Sequence, residues 1–249
     1  PLGGLRPGDQ IAAPRVWPVP AGHSWPTHEL VVLGDLIAEG NLCHPSTLYF
    51  YTTDQQYRDE FVEAVECFEN TVATIARHHN CFSVHVRRRD RTRSIGVVDW
   101  AKYLGLWGLG ARAKGIPIEA FELPLSDIAL MLARLWEGDG SLSVAEHASY
   151  DTASLHLAED VQHLLLRLSI VSRVYRRVRA YRGRDVVGFV VTITGQENLD
   201  RFYRQVACRF LSSRKRSFAE SIVMRSAGRR SSPDVIPVAI QGRIAADRM

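Results

Sequence analysis

Val32-Leu33-Gly34-Asp35-Leu36-Ile37-Ala38-Glu39-Gly40 and, one hundred positions later, Leu132-Ala133-Arg134-Leu135-Trp136-Glu137-Gly138-Asp139-Gly140 are two copies of one pattern. Each is an apolar helical stretch with a small residue near its end, then one carboxylate, then a glycine. The glycine suits the left-handed turn that closes many helices. The carboxylate then stands at a helix C-terminus, where the macrodipole is already negative. An unpaired acid is badly placed there, whereas a divalent cation beside it is well placed. Two such helices side by side bring Glu39 and Asp139 together as a paired metal site. One apolar helix closed by Asp-Gly would be an ordinary core helix; two copies at half-domain spacing call for more than that.

The elements after each copy repeat as well. Residues 47–52 are β-branched and aromatic, hence a strand, and Asp54 caps an expected helix over 55–77 with Phe61, Val65 and Phe68 on its apolar face. Residues 82–88 and 94–98 alternate as two strands, and Asp99 opens a short helix. In the second half, 141–145 and 153–157 are strand candidates and 159–170 is a helix. Residues 171–181 and 186–194 pair across Gly183, and 198–210 closes with a helix. Each half is therefore helix, two strands, helix, two strands, helix. A repeat this long fits a fused pseudo-dimer and not a solenoid.

Charge is unevenly spread. The net +4 is modest, but arginines crowd 87–93 (Arg87, Arg88, Arg89, Arg91, Arg93) and 173–184 (Arg173, Arg176, Arg177, Arg179, Arg182, Arg184). Basic strands interleaved with Tyr175 and Tyr181 are the electrostatic footprint of a nucleic-acid surface, and both runs are expected at matching places in the halves. A composition of 46% hydrophobic and 23% charged residues is that of an ordinary globular domain. No stretch nears the roughly 18 apolar residues of a membrane span, and no secretory leader is visible. The expected location is the cytoplasm, on the nucleoid when DNA is bound. Cys43, Cys67, Cys81 and Cys208 lack CxxC spacing and are expected as free thiols; the 78–81 His-His-Asn-Cys run is expected as a turn with incidental histidines.

The paired motifs, spanning about residues 30–218 with their repeats, resemble the LAGLIDADG homing endonucleases in their single-chain, two-motif form. The resemblance implies an α+β pseudo-two-fold fold of two αββαββα halves, 28–122 and 123–220. Their motif helices would pack centrally, and two curved antiparallel sheets would straddle duplex DNA. It implies a monomer acting as a pseudo-dimer, a long target site, and metal-dependent cleavage of both strands with short 3′ overhangs. Oxygen ligands favour Mg²⁺ or Mn²⁺, held by Glu39 and Asp139 with the carbonyls of Ala38 and Gly138. Sheet side chains such as Thr47, Tyr49, Tyr51, Arg87 and Arg89 would face the major groove, where arginine pairs bidentately with guanine. The alternatives are a non-cleaving DNA-binding protein of this fold and an RNA intron maturase.

Only Lys102, Lys114 and Lys215 are lysines among 31 basic Lys and Arg residues. Lys114 looks like the lysine that family members place beside the nucleophilic water, and Lys215 stands at nearly the same distance from the second acid. Lys102 is expected at the surface. Two positions depart from the family pattern: Asp35 and Arg134, both expected to face away from the helix contact, with Ala129 and Ala133 as its small face. The flanks 1–27 and 221–249 resemble the junctions by which an intein's splicing domain meets its inserted endonuclease, through 5–15 (LRPGDQIAAPR) and 233–237 (PDVIP).

Overall fold

The computed structural model describes residues 22–143, 147–181 and 183–226. Both intein-like stretches, 5–15 and 233–237, lie outside the described residues. The first half runs α1 (Thr27–Glu39), β1 (Gly40–Asn41), β2 (Tyr49–Thr52), α2 (Gln55–Val65), β3 (Thr71–His78), β4 (Cys81–Arg88) and α3 (Gly96–Tyr103). The second runs α4 (Leu125–Asp139), β5 (Gly140–Ser143), β6 (His147–Thr152), α5 (Leu155–Arg167), β7 (Ser172–Tyr181), β8 (Arg184–Thr194) and α6 (Gln196–Gln205), followed by α7 (Ser213–Ser226). Two antiparallel four-stranded sheets result, ordered β1-β2-β4-β3 and β5-β6-β8-β7. Among the described residues no helix is long and apolar enough to cross a membrane.

The halves match in register. Gly40 pairs with Phe50, Phe50 with Val84 and Val84 with Ile75; Gly140, Tyr150, Val191 and Val174 form the same rung in the second sheet. The caps match too: Asp54 accepts from the Tyr57 amide at 3.0 Å, and Ser154 from the Leu157 amide at 3.2 Å. Each satisfies a donor that the first helical turn leaves unpaired.

The motif helices pack against each other at backbone distance. A β-carbon on Gly34 would come within 2.6 Å of the Arg134 β-carbon, and one on Gly138 within 2.7 Å of the Ala38 β-carbon. Leu33, Leu36, Leu132, Leu135 and Trp136 then close one core shared by both halves. Ala129 and Ala133 are buried as expected, yet the closest approach is made at the two glycines.

Several local expectations need correction. The helix expected over 55–77 stops at Val65, because Asn70 turns the chain with a positive φ of 50° and 71–78 becomes β3. Residues 94–98 lead into α3, and 153–157 span the Ser154 cap and the first turn of α5. Gly40 and Gly140 are extended (φ −78° and −88°), not left-handed. They are glycines for space: a β-carbon would lie 2.5 Å from the Leu36 carbonyl oxygen and 2.3 Å from the Trp136 ring. Asp35 and Arg134 are both buried at the helix contact. The Arg134 guanidinium pairs with Glu60 and donates to the Arg209 carbonyl at 2.7 Å, while Tyr57 donates to the Arg134 carbonyl at 3.0 Å. Burial pushes the Asp35 carboxyl, beside the Tyr57 hydroxyl, well above the ordinary aspartate value.

Candidate active site and nucleic-acid face

Glu39 and Asp139 are the last residues of α1 and α4, and the close contact of Gly138 with Ala38 brings the two helix ends together. A lysine stands under each end. The Lys114 ammonium is buried and donates to the carbonyls of Leu36 (2.8 Å), Ile37 (2.9 Å) and Gly40 (2.8 Å). Lys215 donates to the carbonyls of Trp136 (3.2 Å) and Glu137 (2.6 Å), which are the one-hundred-position counterparts of Leu36 and Ile37. These lysines cap the carbonyls that a helix C-terminus leaves unpaired. All three protons of Lys114 are engaged with carbonyls in this arrangement, where the family resemblance implies a lysine beside the nucleophilic water.

The charges are strongly coupled. Asp139 is exposed as a residue, yet neighbouring protein atoms crowd water from its carboxyl. That crowding, reinforced by Glu39, lifts its pKa to about 7 against the pull of Lys114 and Lys215. Burial raises Glu39 likewise, opposed by the same two lysines. Desolvation lowers Lys114 to about 8, with Asp139 and Glu39 holding it up. Two acids that resist ionising together, with cations already committed to the backbone, make a site short of positive charge.

The sheets present different chemistry on corresponding faces. In the first, Tyr49 stacks on His85 at 4.5 Å and meets His44 edge-on, with Tyr51 and Arg87 on the same face. Burial, Arg87 and His44 hold the His85 pKa below its usual value. In the second, Arg173, Tyr175, Arg177 and Arg179 line one face of β7. Thr47 is a correction: it is buried and its hydroxyl bonds to the Val86 carbonyl. Arg88 and Arg176 alternate onto the opposite face from Arg87 and Arg177. The basic runs are not equivalent either, since 87–93 leaves the end of β4 for a loop pinned by Asn70, while the second run follows β7 into a hairpin. Arg182 lies outside the described residues. Arg89, Arg91, Arg93 and Arg184 are exposed, as is Lys102, paired with Asp99.

The LAGLIDADG-like domain family matches residues 126–207, from α4 through α6. The match lies within the second half of the chain. The crystal structure of I-DmoI in complex with DNA and Mn covers 72% of this chain and 96% of its own, with a TM-score of 0.51 at 11% identity. At that identity the likeness establishes the fold, the LAGLIDADG arrangement of both halves. Replicative DNA helicase DnaB of Rhodothermus marinus is 29% identical over 259 residues, which is 98% of this chain and 27% of that protein. A DNA gyrase subunit of Mycobacterium gordonae is 27% identical over 208 residues, 81% of this chain and 36% of that protein. The chain thus spans about a third or less of the curated relatives it matches.

Within the LAGLIDADG arrangement the donor set fits a hard divalent cation. Among the described residues no three His, Cys, Asp or Glu side chains cluster at metal-holding distance. Two carboxylates that repel each other, beside helix-end carbonyls, suit an ion that keeps several waters and takes few protein oxygens, as Mg²⁺ does. The residues that sequence reasoning missed are Asp151, His44 and His85. His85 lies in an alternating strand opposite Tyr49, a visible signal; Asp151 gave none.

Proposed function

We propose that this chain is a site-specific DNA endonuclease that needs Mg²⁺ or Mn²⁺ and hydrolyses both strands of a long duplex site, leaving short 3′ overhangs. The observation that carries this reading is the meeting of Glu39 and Asp139 at the ends of two paired helices, between two sheets with exposed cationic and aromatic faces. The likeness to I-DmoI, solved with DNA and Mn, supports it. Glu39 and Asp139, with the Ala38 and Gly138 carbonyls, would hold the cation, which supplies positive charge against the charge developing on the phosphate. Lys114 and Lys215 fix the helix ends and so the direction of each acid. Sheet residues Tyr49, Tyr51, Arg87, Arg173, Arg177 and Arg179 bind the duplex, and the halves 28–122 and 123–220 each take one half-site of a single protomer's target.

The segment is also proposed to be intein-borne, as the endonuclease part of a larger insert acting in the cytoplasm. A helicase and a gyrase are different proteins, and a shared stretch spanning a minor part of each is what a mobile insert leaves behind. The flanks 1–27 and 221–249 are its splicing-domain junctions in this reading.

The test starts from duplexes selected by the protein out of a randomised library in metal-free buffer, then exposed to Mg²⁺ or Mn²⁺. Double-strand cleavage is expected from the native chain. Glu39→Gln and Asp139→Asn should abolish it while duplex affinity stays within about tenfold, or 1.4 kcal/mol. Native rates in either variant would remove that acid from the mechanism.

A further inference from the structure

The two hairpins that follow the second helix of each half differ in length. Counted from the equivalent rungs Ile75–Val84 and Val174–Val191, the β3–β4 hairpin continues to His78–Cys81, whereas β7–β8 continues to Tyr181–Arg184. The pair Arg177–Gly188 is the counterpart of His78–Cys81, so the second hairpin is longer by the four pairs from Val178–Val187 to Tyr181–Arg184. At about 3.4 Å per residue the extension adds roughly 14 Å of reach. The hairpin shares a cavity with one of the two acids, Asp139. A cavity of about 340 Å³ is lined by Asp139, Lys114 and Ala38 on one side and by Arg177, Arg179 and Asp151 on the other.

Among the described residues the first half carries different residues at the matching positions. The counterpart of Arg177 is His78, the counterpart of Asp151 is Tyr51, and Arg179 has no counterpart because the first hairpin has already turned. Arg77, the neighbour of His78 on β3, lies over the Phe82 ring at 5.4 Å and donates to the His79 carbonyl. In the second half Asp151 pairs with Arg177 and sits 3.7 Å from Arg179, whose side chain is 65% exposed. A carboxylate bridging two guanidinium groups occupies the place of an anion. A phosphodiester has the same charge and suits the same planar fork, so it can replace that carboxylate with little loss.

We propose that Arg177 and Arg179 grip the scissile phosphate beside Asp139, and that this grip exists in one half only, so that the two strands are cut at unequal rates. The inference rests on the cleavage reading above. Two fixed guanidinium groups stabilise charge that grows on the phosphate oxygens, a contribution that one strand receives and the other does not.

The experiment has two arms on a library-selected duplex. In single-turnover cleavage with Mn²⁺, Arg177→Gln and Arg179→Gln should slow one strand by at least about a hundredfold and the other by less than about threefold, so nicked duplex accumulates. Arg179 is exposed enough that its variant tests the idea even if Arg177→Gln folds poorly. In chelator, neutral methylphosphonates are scanned across the central phosphates of both strands. The native chain should lose about tenfold in affinity at one central phosphate of one strand only, and Arg179→Gln should not notice that substitution. Equal slowing of both strands, or equal methylphosphonate sensitivity in native chain and variant, would overturn the proposal. A bound but uncut duplex would sink the cleavage reading, while the methylphosphonate arm still decides the grip. Failure to select any duplex would sink both.

Discussion

At the scale of single residues, Lys114 does something that no spacing argument shows. The residue is 5% exposed, and its ammonium spans three carbonyls around the end of α1. Lys114→Met would leave these oxygens without donors, so about 3 kcal/mol of stability should be lost, visible as a lower urea midpoint. Lys215→Met should cost less, because that side chain is 34% exposed and water can replace it. Lys114→Arg keeps the charge, but a planar fork cannot fill a site built for a tetrahedral ammonium. Cleavage should fall by at least about a hundredfold with duplex affinity unchanged, and native cleavage would leave Lys114 as a stabilising cap alone. Asp139 sets a pH dependence. Its folded pKa of about 7 lies above the ordinary aspartate value of 3.8, so the folded state favours its protonated form. That contribution is fully present below the ordinary value and is lost as pH rises through about 7. A cation needs the ionised form, so Mn²⁺ affinity without DNA should rise about tenfold per pH unit up to that point and then level off. A titration by calorimetry that is flat between these limits would show that Asp139 does not bind the ion.

At the scale of elements, the contact of α1 with α4 leaves no room for added atoms. Gly34→Ala places a methyl 2.6 Å from the Arg134 β-carbon and 2.7 Å from the Met131 carbonyl oxygen, and neither neighbour is a flexible tip. About 1–3 kcal/mol should be lost, and thermal melting together with Mn²⁺ affinity should report the helix ends moving apart. This contact was legible in the sequence because apolar periodicity, the small residues and the paired acids all pointed to it. β3 was not legible, since Phe61, Val65 and Phe68 keep helical spacing up to the point where Asn70 reverses the chain. A positive φ at one asparagine leaves no periodic signal. The role of Gly40 and Gly140 was misjudged for a related reason. A glycine required by crowding and one required by a left-handed turn are the same letter, and only packing separates them. Arg134 was misplaced because its partners, Glu60 and the Arg209 carbonyl, are distant in sequence.

At the scale of the whole molecule, duplication built the frame and divergence then divided its labour. The first sheet keeps a ring ladder of Tyr49, His85 and His44, whereas the second carries arginines along a longer hairpin. Stacked aromatic and imidazole groups respond little to ionic strength. Phosphate-bound arginines respond steeply, because each releases condensed counterions. With about six to ten phosphate contacts, duplex affinity should drop roughly a thousandfold or more between 50 and 200 mM salt. The halves should not share that dependence equally. Replacing Arg173, Arg177, Arg179 and Arg184 by glutamine should flatten the logarithmic salt slope by about 0.9 for every phosphate no longer neutralised. The same change at Arg87, Arg89, Arg91 and Arg93 should flatten it less, since Arg89, Arg91 and Arg93 lie in the loop beyond β4 and not along a strand face. Fluorescence anisotropy on a selected duplex measures both slopes. Equal flattening would mean that the loop after β4 lies on phosphates as fully as the long hairpin does, and a flat slope in the native chain would return both basic runs to solvated surface.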